Sequence, residues 1–155
     1  MICPLRERTQ RSRDWFRMIT QCSPAATTVL LVEDDCLVRD CAAHALSEAG
    51  FKVLEAGNGP DALVLLEGAH VDVVFTDINM PGDFDGLGLA RRVRRRWPEI
   101  AIVITSGRGC PDIGIEGARF VPKPYMPDTV ARLLGDIAGG RCERAARSRL
   151  GCLAS

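Results

Sequence analysis

The chain has 155 residues, a hydrophobic share of 46% and a formal net charge of zero. This length suits one domain with a single core, and the hydrophobic share is usual for a soluble globular protein. No apolar run approaches the ~20 residues that a membrane-spanning helix needs. We therefore expect no membrane span.

Charge is unevenly distributed along the chain. Residues 1–26 contain five Arg against two acidic residues, and residues 141–155 contain four Arg against one Glu. Because the total is zero, the part between them carries a net charge of about −6. We expect a disordered basic leader over 1–26, a domain over 27–138 and a basic tail over 139–155. An acidic domain argues against direct nucleic-acid binding and favours the binding of a cation.

Cysteine usage indicates a reducing compartment. The seven Cys are odd in number and no two have the C-x-x-C spacing, so neither a disulfide framework nor a zinc site is expected. The N-terminal region has early Arg residues but no apolar stretch typical of a signal peptide. We therefore expect a cytoplasmic protein with free thiols.

Predicted strands and helices alternate from Thr27 onward. The strands are apolar, β-branched runs, and the helices have apolar residues at steps of three and four. In chain order, we predict a strand over 27–32, a helix from Asp34 or Asp35 to Gly50, a strand over 52–55, a helix from Pro60, a strand over 71–76, a helix over 87–97, strands over 100–105 and 119–121, and a helix over 126–137 ended by Gly139-Gly140.

This order of elements predicts an α/β fold. Strands that are apolar along their whole length are typical of a parallel sheet covered on both faces. We predict a flavodoxin-like, doubly wound, five-stranded parallel sheet in the order 2-1-3-4-5, with helices on both faces. In such sheets the functional groups gather at the carboxyl ends of the strands.

Polar side chains follow four of the five predicted strands. They are Glu33-Asp34-Asp35 after the first, Asp77 after the third, Thr105-Ser106-Gly107 after the fourth and Lys123 after the fifth. Converging carboxylates repel one another unless they take up protons or share a cation, and all-oxygen ligands suit Mg²⁺. A carboxylate beside Mg²⁺ and Lys can attack an activated phosphoryl group and form an acyl phosphate.

These segments together resemble the receiver (CheY-like) domains of two-component response regulators. The matching segments are Leu30–Asp35, Thr76–Gly82 with Asp85-Gly86, Ile104–Gly107 and Lys123–Tyr125. The resemblance covers about residues 27–138 and implies a single-domain phosphoacceptor protein that is not an enzyme. Its phosphoryl donor would be a histidine kinase or a phosphotransfer protein. It would act through changed protein contacts or a phosphorelay, with an unknown downstream partner.

The resemblance implies a phosphorylation site and a switch. Asp77 would be the phosphoacceptor, and Thr105 would supply the hydroxyl that moves toward the phosphoryl group. Lys123 would bridge the carboxylates and the phosphoryl group, and the Lys123-Pro124 peptide would be cis. Phe120 matches the aromatic switch position.

The resemblance also implies a set of Mg²⁺ ligands. Asp34 would bind the ion directly and Glu33 mostly through water. Asp77 and the backbone carbonyl of Asn79 would complete the protein ligands.

One departure from the family concerns the fourth helix. Thr105 and Lys123 are closer in sequence than is usual, and the intervening Arg108–Gly114 is rich in Gly and Pro. We predict that the fourth helix is shortened or missing. Because that helix helps to form the usual signalling face of the family, we make no prediction of which surface contacts the downstream partner.

One further feature of the sequence, a run of arginines, allows two interpretations. The basic run of Arg91, Arg92, Arg94, Arg95 and Arg96 on the third predicted helix is either a solvated face or a docking patch for a kinase or an acidic partner.

A haloacid-dehalogenase-like phosphatase is an alternative function, but it needs a second Asp where Asn79 stands. Two further alternatives are a binding module that no longer cycles phosphate, and a receiver that is detached from a hybrid kinase or serves as a relay.

Overall fold

The computed structural model describes residues 27–82, 84–109 and 113–151, with side chains described as far as residue 140. The leader predicted over 1–26 lies outside the described residues. The elements are β1 (Thr28–Val32), α1 (Cys36–Glu48), β2 (Lys52–Ala56), α2 (Gly59–Gly68), β3 (Val73–Asp77), α3 (Gly86–Arg96), β4 (Ala101–Ser106), β5 (Arg119–Pro122) and α4 (Pro127–Gly151). Within the described residues, no helix is long and apolar enough to cross a membrane.

The five strands form one parallel sheet in the order β2-β1-β3-β4-β5, which confirms the predicted topology. Every residue of the central strands β1 and β3 is buried, whereas the edge strands β2 and β5 contain exposed residues. The register aligns the strand ends, because Val32 pairs with Thr76 and Asp77 pairs with Thr105. The sheet therefore presents the residues after these strands at one edge.

Helices cover both faces of the sheet, as predicted. Alternate strand residues point to opposite faces, so the core divides into two clusters. One face packs against α1 and α4 through Val29, Leu31, Ala42, Leu46, Phe75, Val103, Val130 and Leu134. The other packs against α2 and α3 through Leu30, Val32, Ala62, Leu66, Val74, Leu89, Val93 and Ile104.

Side-chain caps fix the starts of the first three helices. Asp35, Asn58 and Asp85 each accept a hydrogen bond from a backbone N–H in the first turn of the helix that follows. The cap predicted at the start of the first helix is therefore Asp35. Gly50 follows α1 with φ of 92°, a conformation that favours glycine at a helix end.

The predicted loss of the fourth helix is confirmed within the described part of the chain. The β4–β5 connection (residues 107–118, of which 110–112 are not described) contains no helix in its described residues. Ile113, Ile115 and Ala118 pack against the α2/α3 face instead. Gly109, Gly114 and Gly117 all have positive φ, which prevents a regular helix.

The predicted end of the last helix at Gly139-Gly140 is wrong, because α4 continues to Gly151. Glycine ends a helix by adopting positive φ, and neither Gly139 nor Gly140 does so. Glycine within a helix costs only about 1 kcal/mol relative to alanine and so weakens the helix without stopping it. Much of the predicted basic tail is therefore helical backbone.

Replacing Gly139 and Gly140 together by Ala tests this continuation. Outside the helix's own backbone, no atom of the described residues lies within 4 Å of a Cβ added at either position. The double variant should gain helix content, and its free energy of unfolding should rise by up to about 1 kcal/mol per site. Circular dichroism and urea unfolding measure the two effects.

Gly50→Ala is the matched control, because the φ of 92° at Gly50 is strained for any residue with a Cβ. This variant should lose about 1 kcal/mol of stability. A loss of helix content in the Gly139→Ala/Gly140→Ala variant would show instead that the helix ends at the two glycines.

Candidate functional site

Three carboxylates meet at the carboxyl edge of the sheet. Glu33 directly follows β1, and Asp77 is the last residue of the neighbouring strand β3. One ligand oxygen from each of Glu33, Asp34 and Asp77 lies within 4.8 Å of the other two. Glu33 and Asp77 are only 4% and 6% exposed, whereas Asp34 is exposed. The structure thus brings together three of the residues that the sequence predicted as one site.

Lys123 joins two of these carboxylates. Its Nζ donates to Glu33 Oε2 at 2.7 Å and to Asp77 Oδ2 at 2.5 Å. Burial alone lowers the pKa of the Lys123 ammonium, but the hydrogen bonds and charges of Asp77 and Glu33 outweigh it and raise the pKa. The Lys123-Pro124 peptide is cis, as the resemblance implied.

At Glu33, the effect of burial on the pKa outweighs the effect of Lys123. Burial raises the pKa of the Glu33 carboxyl, and the hydrogen bond from Lys123 offsets only part of that effect. Glu33 therefore holds a proton more readily than an exposed Glu, while Lys123 keeps its charge at neutral pH. The buried acidic cluster depends on this one cation within the described residues.

The orientation of Asp77 is fixed from several sides. Its Oδ1 accepts from the backbone N–H of Asn79 at 3.0 Å, and its Oδ2 accepts from Lys123. The hydroxyl of Thr76 donates to the Asp77 carbonyl at 3.0 Å. A Cβ added at Gly86 would lie 1.8 Å from the same carbonyl oxygen. Only glycine lets the start of α3 approach the Asp77 backbone so closely.

Ser106, which the sequence places after the fourth predicted strand without a role of its own, contributes to the site. Its Oγ accepts from the side-chain amide of Asn79 at 3.0 Å and from the backbone N–H of Arg108 at 3.1 Å. It therefore connects the loop after β3 to the β4–β5 connection. A hydroxyl directly after Thr105 was the available signal, but serine is common at strand ends.

Thr105 is the register partner of Asp77 on the neighbouring strand. It is 2% exposed, and its Oγ1 has no hydrogen-bond partner among the described residues. A buried hydroxyl without a partner is costly and calls for an explanation. Phe120 is half-buried on β5, where its register partner is Ile104, and it packs against the α2/α3 face.

Arg39 supports the acidic edge from α1, a role that no sequence pattern indicated. Its Nη1 donates to the Glu33 carbonyl at 2.8 Å, and its Nε lies 3.6 Å from a carboxylate oxygen of Glu55. The backbone of Glu33 is also held by its own N–H, which donates to the Ala56 carbonyl at 3.1 Å. These contacts tie the first carboxylate to both α1 and β2.

The chemistry of the donor set fits Mg²⁺. The three clustered carboxylates offer only oxygen atoms, and the exposure of Asp34 leaves room for the waters that Mg²⁺ usually retains. The hydrogen bond from Asn79 to Asp77 also holds the Asn79 backbone beside the cluster.

Alkaline unfolding tests the charge balance at Lys123. A raised pKa in the folded state contributes stability that is fully present at lower pH and is lost as the pH rises past about 10.5. Burial raises the pKa of Tyr125, which acts in the same direction. In Lys123→Arg the side chain stays charged, so we expect a smaller loss of unfolding free energy between about pH 9 and pH 11.

Lys52→Arg is the matched control, since Lys52 is exposed and is the only other lysine in the chain. It should keep the full alkaline loss. An equal loss in wild type, Lys52→Arg and Lys123→Arg would mean that Lys123 does not carry the predicted stability. Urea unfolding over the pH range provides the measurement.

Comparisons with known proteins agree with this geometry. The family model described as "Response regulator receiver domain" matches residues 29–133. A solved receiver domain from the hybrid histidine kinase CckA is 32% identical, with a TM-score of 0.63, and the match covers 72% of this chain and 98% of that one. A response regulator receiver protein from Sinorhizobium medicae is 28% identical, with a TM-score of 0.69 and coverage of 75% and 97%.

Two curated relatives are much longer than this chain. Sensor kinase CckA of Brucella abortus is 38% identical over an alignment of 121 residues, and the match covers 72% of this chain and 12% of that protein. The phosphate regulon transcriptional regulatory protein PhoB of Pseudomonas aeruginosa is 33% identical over an alignment of 114 residues, and the match covers 68% of this chain and 49% of that protein. The shared part is the described α/β domain, and the chain belongs to the response regulator receiver domain family.

Proposed function

We propose that Asp77 accepts a phosphoryl group and that the chain acts as a receiver in two-component signalling. The observation that carries this proposal is the pair of hydrogen bonds from Lys123 to Glu33 and Asp77 at the carboxyl edge of the sheet. These hydrogen bonds hold the buried carboxylate of Asp77 beside the Lys123 ammonium and the carboxyl group of Glu33. That arrangement suits a carboxylate that must attack a negatively charged group.

The transfer step conserves charge and atoms. A carboxylate oxygen of Asp77 forms a bond to phosphorus while the bond from phosphorus to the donor nitrogen of a phosphohistidine breaks. The leaving imidazole retains the electron pair of that bond. Lys123 and the Asn79 N–H, which already contact the two oxygens of Asp77, orient the nucleophile.

Mg²⁺ would be held by Asp34, Asp77 and the backbone carbonyl of Asn79, with Glu33 acting through water. When bound, the ion would offset the charge on the phosphoryl oxygens. The chain's own residues would do the remaining work. Lys123 would pair with the new phosphoryl charge in place of part of its contact with Asp77.

Thr105 would respond to the new charge by moving toward the phosphoryl group. Its buried hydroxyl lacks a partner within the described part of the chain, and a phosphoryl group on the neighbouring Asp77 would bring three acceptor oxygens. A move of Thr105 toward them would shift β4 and the segment that follows. Phe120, one strand away, would then repack.

The partner class follows from this chemistry. A histidine kinase or a phosphotransfer protein in the cytoplasm would supply the phosphoryl group, and the response would be a changed protein contact or onward relay. The CckA relatives are kinases that contain a similar domain, which favours a relay role as the second candidate. The chain itself would not act as an enzyme toward a small substrate.

Labelling with acetyl phosphate in Mg²⁺ tests the phosphoacceptor. Wild type should gain one phosphoryl group that hydroxylamine removes, and Asp77→Asn should gain none, because an amide does not attack phosphorus. Intact-protein mass spectrometry measures both. Asp136→Asn, an exposed position on α4, is the matched control and should be labelled like wild type.

The same experiment separates the rival functions. Equal labelling of Asp77→Asn would refute the assignment of the phosphoacceptor. No labelling of wild type by acetyl phosphate or by any tested kinase would favour the binding module that no longer cycles phosphate.

A pair of threonine variants tests the unpartnered hydroxyl. Thr105→Val removes a buried hydroxyl with no partner and keeps the shape, so the free energy of unfolding should rise by up to about 1 kcal/mol. Thr76→Val removes a hydroxyl that donates to the Asp77 carbonyl, so the free energy of unfolding of this variant should fall by about 1 kcal/mol. Urea unfolding compares them, and equal losses in both variants would show that Thr105 has a partner in the resting protein.

A further inference from the structure

A groove of about 580 Å³ lies beside α3 where the fourth helix is missing. We call it the α3 groove. Arg91, Arg92 and Arg95 line one side, Ile115 of the β4–β5 connection lines the other, and Phe84 also contributes to its lining. The described part of the β4–β5 connection contributes Gly114, Ile115 and Glu116 to the lining of the groove.

Two of the five arginines of α3 have structural roles. Arg94 Nη1 donates to the Pro98 carbonyl at 2.8 Å, just beyond the end of the helix. Arg96 forms an ion pair with Glu67 of α2 at 2.8 Å. Both side chains are therefore held by contacts within the domain.

The other three arginines have no ion-pair partner among the residues that the structure describes. Arg91, Arg92 and Arg95 are exposed. Together with Gly88 they have the spacing of one helix face, so their charges point the same way. Like charges four residues apart on a helix repel one another, and a bound anion would relieve that repulsion.

The groove also offers apolar surface. The Arg92 guanidinium lies 5.6 Å from the centre of the Phe84 ring, and Phe84 and Ile115 are both only half-buried. Glu116, on the connection, is the one acidic residue among the described residues lining the groove. A ligand that matches this surface combines several carboxylates with an apolar side chain.

We propose that the α3 groove docks a protein segment that is rich in Asp and Glu and carries an apolar anchor residue. The three arginines would pair with its carboxylates, and the anchor would lie between Phe84 and Ile115. A protein segment fits better than nucleic acid, because the half-buried Phe84 and Ile115 in the lining match an apolar side chain beside the carboxylates. The proposal does not require phosphorylation of Asp77.

Binding of a labelled synthetic peptide tests this proposal. The probe has about 12 residues, comparable in length to α3 itself, with Glu at most positions and two Leu spaced three apart. Fluorescence anisotropy with the full chain should give a dissociation constant on the order of 10 μM, in the range of weak transient contacts. Binding should weaken as salt is added.

Charge reversal locates the site. Arg91→Glu/Arg95→Glu should weaken binding by about tenfold or more, whereas Lys52→Glu/Arg132→Glu, which changes two exposed cations elsewhere, should leave it within about twofold. Glu116→Gln should tighten binding, a gain that misfolding cannot produce. A peptide with both Leu replaced by Ser should bind more weakly if the groove holds an anchor.

Several outcomes would overturn the proposal. They are equal weakening by the two double reversals, no change with Glu116→Gln, and tighter binding of a DNA duplex than of the peptide with the same dependence on Arg91 and Arg95. Self-association of the chain that Arg91→Glu/Arg95→Glu abolishes would assign the groove to a second copy instead. Asp77→Asn should bind the peptide like wild type, which keeps this result separate from the test of phosphorylation.

Discussion

The ion pairs of Lys123 with Glu33 and Asp77 are the contacts on which the site depends. Glu33 and Asp77 are almost fully buried at neighbouring strand ends. Burial removes much of the hydration of their carboxylates, and without a cation nearby the two charges would repel each other. Lys123 supplies that cation from the far edge of the sheet, one residue after β5. The parallel sheet makes this possible, because it brings residues distant in sequence to a single edge. The arrangement holds the Asp77 carboxylate in place and leaves Asp34 facing solvent.

Much of the fold could be predicted because its signals are local. Buried parallel strands have continuous apolar runs, and caps such as Asp35 stand directly before their helices. The end of α4 was mispredicted because Gly139-Gly140 has the composition of a helix stop, while the backbone conformation that would stop the helix is not encoded by glycine alone. The contacts of Arg39 and Ser106 could not be predicted, since they depend on which side chains the folded sheet brings within hydrogen-bond distance.

The lost fourth helix changes what the receiver offers to partners. In the described part of the β4–β5 connection, apolar side chains such as Ile115 cover the sheet without a helix, and the arginines of α3 are left beside an open groove. Gly86 begins the same helix in close contact with the Asp77 backbone. Asp77 and the arginines that line the α3 groove therefore lie close together in sequence, at the end of β3 and on α3.

We propose that Glu33, Asp34 and the proposed phosphoacceptor Asp77 together form a site for a divalent cation. Thermal unfolding in increasing Mg²⁺, with NaCl at matched ionic strength as the reference, tests it most directly. With a dissociation constant of about 1 mM, Mg²⁺ at about 10 mM should stabilise wild type by about 1.4 kcal/mol, and Asp34→Asn should lose most of that gain. No rise in the unfolding temperature of wild type, or an equal rise in Asp34→Asn, would contradict the account.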